Sequence, residues 1–269
     1  MKNRHLYKYF FKNALHSFLF WLVLLVVVFE FVAPFVLQLN KMMELTQQNN
    51  ATLMQRMILE QLNLNLYILG FFLAPVLGII AGRALVNRES EVLLAQAVSR
   101  RDFFLGSFIF HGLFLLGIWL IFVLLYLLVT YLFNQPFSLE LIFKLVLSAF
   151  GILLPFLWVG FFSVNSKPIA VVMLYLIIFL TVPPLGTLFD RPESSTAEKV
   201  LSVGAKTISL VVPQTQTFQM IASPFSRVDK AGIGTTSFML FAYGLLWSFF
   251  LLLSGFLVYI RKDMNDPLS

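Results

Sequence analysis

Residues 83–106 read RALVNRESEVLLAQAVSRRDFFLG, and they stand between two apolar runs, LYILGFFLAPVLGIIA at 66–81 and SFIFHGLFLLGIWLIFVLLYLLVTYLF at 107–133. Crossing the hydrocarbon core of a bilayer takes about 20 apolar residues in a helix. The run at 107–133 meets that length without one Asp, Glu, Lys or Arg. The run at 66–81 is shorter and reaches full thickness by extending through Leu62 and Leu64 or past Gly82. Between them, Arg83, Arg88, Glu89, Glu91, Arg100, Arg101 and Asp102 belong in water. The segment therefore reads as a hairpin joining two membrane helices at one surface.

The same reading applied to the whole chain yields an all-α polytopic membrane protein with six transmembrane helices, at 17–39, 66–81, 107–133, 140–162, 168–189 and 238–260. Composition agrees. Hydrophobic residues make up 59% of 269 and charged residues 12%, and the 31 phenylalanines exceed what a water-soluble domain of this length could bury. The absence of cysteine removes disulfides and thiolate chemistry from consideration. His5, His16 and His111 are too scattered for a histidine metal site. No metal or catalytic residue is assigned, and the net charge of +6 is read as topological, with no nucleic-acid partner.

Basic residues set the orientation. Lys2, Arg4, Lys8, Lys12, Arg83, Arg88, Arg100, Arg101, Lys167, Arg261 and Lys262 fall on short connections on one side. The basic residues of the other side are spread over longer loops and mixed with acids, so the positive-inside rule predicts a cytosolic N-terminus and C-terminus. The first apolar run exceeds a signal-peptide core and reads as a retained anchor. Ahead of it, Leu6, Tyr7, Phe10, Phe11 and Leu15 recur at helical spacing opposite the lysines, which predicts an interfacial helix over 1–16. Residues 17–269 then form one six-span domain.

The outer connections differ in character. Residues 40–65 are polar with apolar residues at loosely helical intervals, predicting a helical extension of the first two spans; Asn50-Ala51-Thr52 is a sequon match of little weight. The turn at Asn134-Gln135-Pro136 makes the third and fourth spans a tight hairpin. The loop at 190–237 opens with polar residues and then turns apolar, as re-entrant or interfacial pieces would. Within the spans, Glu30 and Lys144 either form an ion pair or leave Glu30 facing a substrate path. His111 reads as a helix-interface histidine. Pro183-Pro184 interrupts the fifth span, as a gate or a bend.

Neither a Walker A pattern, nor His-Glu-x-x-His, nor Gly-x-Ser-x-Gly occurs, so this chain has no ATPase motif of its own. In the hairpin, Val92, Leu93 and Leu94 are flanked by Arg88, Glu89, Glu91, Arg100 and Asp102, a short amphipathic helix suited to a groove on a soluble partner. The alternative is a hairpin whose charges only hold topology. Six spans, an N-terminal interfacial helix and this hairpin between the second and third spans resemble the permease subunits of type-2 ATP-binding-cassette transporters, closest to the NosY-like branch. The match lies at Glu91, Leu93, Leu94, Val98, Ser99, Arg100, Asp102 and Gly106, and in the ending Tyr259-Ile260-Arg261-Lys262-Asp263. It departs at Glu89 and Ser90, where the family commonly has Gly-Thr, at Ala97 for a proline, and at Ser107 for a lysine.

The resemblance implies an exporter of the bacterial cytoplasmic membrane, in which two permeases pair with each other and with two ATPase subunits. ATP and magnesium would be bound by that partner, with no cofactor in this chain. The ATPase-coupling residues would be Arg88, Glu89, Glu91, Leu93, Leu94, Ser99, Arg100, Arg101 and Asp102. A second reading is a mechanotransmitter acting through 190–237 on an extracytoplasmic partner protein. A third, an ATP-independent carrier, would show inverted repeats, and none is evident.

Overall fold

A computed structural model of the chain describes residues 51–86, 99–132, 139–164, 166–181 and 235–261 continuously, together with Phe218 and parts of 8–44. The long elements are helical: α1 (Ala51–Ile68), a π-helical turn (Leu69–Leu73), α2 (Ala74–Ala84), α3 (Arg100–Leu132), α4 (Leu139–Ser163), α5 (Pro168–Thr181) and α6 (Thr235–Arg261). Four stretches are long and apolar enough to cross a membrane: Glu60–Ala84, Arg100–Leu132, Ile142–Ser163 and Phe238–Arg261. The protein is membrane-embedded, and its outer faces fit that solvent. On α3, Leu113, Leu120, Ile121, Leu124 and Leu128 are exposed along one helical stripe, as lipid contact requires.

Several expectations meet described residues. The helical extension expected within 40–65 is present as α1, which passes without a break through the π turn into α2. The third span starts earlier than its apolar run suggests, because α3 already begins at Arg100. At 1.5 Å per residue its 33 residues extend about 50 Å, against a hydrocarbon thickness of about 30 Å, so its polar first turn projects past the apolar layer. The expected first crossing at 17–39 is described at about half of its residues, which are helical from Phe18 to Val36 wherever described, while the loop at 190–237 lies outside the described residues apart from Phe218 and the first residues of α6. Phe218 packs its ring 5.6 Å from that of Phe150 on α4 and 6.2 Å from that of Tyr243 on α6.

The centre of the bundle is the contact of α2 with α4. A Cβ on Gly78 would stand 2.5 Å from the carbonyl oxygen of Phe156, and one on Gly82 would stand 2.7 Å from that of Gly160. Backbone meets backbone here, which only residues without side chains allow, and dispersion contacts accumulate where lipid offers no hydrophobic drive. Hydrogen bonds tie α3 to both partners. Ser107 Oγ donates to the Ala81 carbonyl of α2 at 2.9 Å, and Trp119 Nε1 donates to Ser148 Oγ of α4 at 3.2 Å.

Gly78→Ala and Gly82→Ala should each destabilise the bundle by at least about 2 kcal/mol, since the obstructing atoms are backbone and cannot rotate away. Gly117 on α3 has nothing within 4 Å of its would-be Cβ. Gly117→Ala should therefore be neutral or stabilising by up to about 1 kcal/mol. Unfolding of the micelle-solubilised protein by dodecyl sulfate measures the three against wild type.

Candidate functional site

Ser99-Arg100-Arg101-Asp102 has a local structural role that follows from its chemistry. Ser99 Oγ accepts the backbone N–H of Asp102 at 3.0 Å, and the Ser99 carbonyl accepts that of Phe103 at 3.0 Å. Ser99 is thus the N-cap of α3, and Asp102 sits in a first turn whose exposed N–H groups favour negative charge. A Ser followed three residues later by an acid, just before an apolar run, is a helix-start signature that the reading of this segment as a docking motif passed over.

The cap aims the next residues at the ends of other helices. Arg100 Nη1 donates to the Ile260 carbonyl at 3.4 Å, in the last turn of α6. Carbonyls in a helix's final turn have no N–H further along to accept from, so a side chain from α3 fills the role. Ser107 does the same for Ala81, in the last turn of α2, where Leu85 and Val86 close back onto Gly82 and Arg83 in a tighter three-residue turn. The first turns of α3 therefore cap two neighbouring helices whose C-termini gather beside its N-terminus.

Phe103 and Phe104 are both fully buried, and as successive helical residues they face different directions. Phe103 joins the N-terminal segment, with ring centroids 5.4 Å from Phe10 and 6.2 Å from Tyr9. Phe104 joins α6, at 5.6 Å from Phe256 and 5.7 Å from Tyr259. Residues 8–12 are helical, as expected for the N-terminal segment, and Phe10 is buried against α3. The lack of a side chain at Gly106 makes room for it: a Cβ there would meet Phe10 Cε2 at 3.2 Å.

His111 lies one turn beyond Ser107 and is buried. Its Nδ1 is 2.8 Å from the Ser107 carbonyl, which can only accept, so Nδ1 carries the proton. Its ring is set edgewise against Phe10 and Phe110 at 5.9 and 5.2 Å. The expected helix-interface histidine is present, with one nitrogen bonded and Nε2 buried without a hydrogen-bond partner.

The structure thus brings Arg100 to the C-terminus of α6, next in sequence to Ser99, Arg101 and Asp102, and all four are exposed. Arg88, Glu89, Glu91, Leu93 and Leu94 lie outside the described residues, as do Glu30, Pro183 and Pro184. Lys144 is partly buried in the second turn of α4. No group of three metal-ligating side chains occurs among the described residues. Comparison of the chain with protein-family models, with curated proteins and with solved structures finds no match.

Phe104→Ala should cost about 3 kcal/mol or more, because the hole it leaves is walled by rings of two helices. Arg100→Ala should cost about 1 kcal/mol, the net worth of one hydrogen bond at an exposed site. Dodecyl sulfate unfolding of the two variants tests this order.

Proposed function

We propose that the chain is the permease subunit of an ATP-binding-cassette exporter, driven by a separate ATPase that docks on residues 83–106. One observation carries the reading beyond its sequence basis. The resemblance lies in two stretches, Glu91 to Gly106 and Tyr259 to Asp263, and Arg100 of the first bonds directly to Ile260 of the second, 160 positions away. A family motif split between distant places gains support when its halves form one surface.

The mechanics suit that role. Arg101 and Asp102 are exposed, while Phe103, Phe104 and Ser107, within two turns, are buried against the N-terminal segment, α6 and α2. A displacement applied to the exposed charges moves a foot clamped to three other elements. In this reading the N-terminus and C-terminus are cytosolic, two copies form the translocation path, and ATP and magnesium belong to the partner. Six spans per copy complete the architecture.

Co-expression with Walker-motif ATPases of the same organism, followed by affinity purification and reconstitution in liposomes, tests the proposal. The ATPase should copurify. Glu91→Ala and Arg101→Ala should each weaken its binding tenfold or more, about 1.4 kcal/mol, with membrane insertion unchanged. Failure of any ATPase to copurify, or wild-type coupling in both variants, sinks the reading. Transport of no added cargo, with full ATP turnover and sensitivity to trimming of 190–237, would favour the mechanotransmitter.

A further inference from the structure

The π turn inside the second crossing is built around Pro75. Ala74 N–H donates to the Leu69 carbonyl, five residues back instead of four. Where the ladder returns to the α register, the Gly70 carbonyl is the one passed over, and Pro75 has no N–H to offer it. The Gly70 carbonyl is nonetheless satisfied: Tyr175 Oη, from α5, donates to it at 3.3 Å in a buried setting. The Tyr175 ring is held in place by Trp158 of α4 at 6.2 Å and by Phe71 at 6.1 Å.

The ordinary α register passes over no carbonyl, and only the proline withholds a donor. There Ala74 N–H would return to Gly70, and the carbonyl left without a donor would be that of Phe71. Pro75 withholds one N–H in either register, and the π register leaves one further carbonyl, that of Gly70, to a donor from outside the helix. A tyrosine hydroxyl has one proton to donate, and Tyr175 directs it to Gly70. In a hydrocarbon setting without water, the π register depends on that bond.

We infer that residues 69–75 form a two-register hinge in the second crossing, held in the π register by the hydroxyl of Tyr175. Release lets the segment revert to α, a slip of one residue that turns α1 relative to α2 by about 100°. Gly78 and Gly82 hold α2 against α4, so α1 is the part that turns. Each residue of α1 then takes the place of the one before it. Met54, now buried, moves to the outward place of Leu53, and buried Asn65 moves to that of Leu64. Helical π turns recur at functional sites, and here the turn acts as a rotary joint whose lock sits on a different helix. This inference is independent of the ATPase reading.

The chain has no cysteine, so single introduced thiols report without background. Met54 lies beyond the apolar window that begins at Glu60, within reach of aqueous reagents. In otherwise wild-type protein, maleimide should label Met54→Cys slowly and Leu53→Cys readily. Tyr175→Phe keeps the ring and removes the proton, and should speed labelling at position 54. Leu85→Cys, buried at the far end of α2, should stay protected in the same background. Trp158→Leu frees the ring that carries the hydroxyl, and should speed labelling at 54 even if Tyr175→Phe fails to fold. Continued protection at 54 in folded Tyr175→Phe, or in Trp158→Leu, overturns the inference, as does opening at 54 and 85 together in either variant.

Discussion

The approach of α2 to α4 at backbone distance is the constraint on which the other contacts rest. Gly78 and Gly82 fix both separation and rotation, because a Cβ at either would fall within 3 Å of the carbonyl of Phe156 or Gly160. With that pair fixed, α3 has one place to lie where Ser107 reaches Ala81 and Trp119 reaches Ser148. Each of these bonds depends on an alignment set by residues that have no side chain. In a bilayer, where apolar side chains gain little by leaving lipid for one another, such close packing carries weight that solvent exclusion carries in water.

A second theme is the supply of donors to carbonyls that a helix cannot satisfy itself. Ser107 serves the end of α2, Arg100 the end of α6, and Tyr175 the interruption at Gly70. In each case the donor comes from a different helix, so satisfying the backbone and assembling the bundle are one event. Hydrogen bonds of this kind matter most where water cannot substitute.

Much of the architecture was legible because hydrophobic length is a local property. The apolar runs at 107–133, 140–162 and 238–260 each correspond to a helix able to cross a bilayer. Boundaries were harder. The third crossing starts at Arg100 because Ser99 caps it, and the capping signature was legible but masked by the competing interest of its charges. The site was legible in part: Ser99–Asp102 and Tyr259–Arg261 were singled out separately, while their contact through Arg100 was not. The π turn lay beyond reach. Pro75 hints at an irregularity, but its form depends on a hydroxyl 105 positions away, and no local pattern encodes such a partner.

Phe103 and Phe104 hold adjacent positions yet belong to separate aromatic clusters, one with the N-terminal segment and one with α6. Spacing, more than residue type, is what this arrangement enforces. Exchanging one large apolar ring for another preserves both contacts in outline. Loss of a single residue between Arg100 and Phe103 would swing Ser99 and Arg100 by about 100° relative to both rings and take Arg100 away from the Ile260 carbonyl. Evolution of the segment is accordingly free to vary in chemistry at its exposed charges but confined to a fixed length, so homologous chains aligned over it should differ by substitutions and not by gaps.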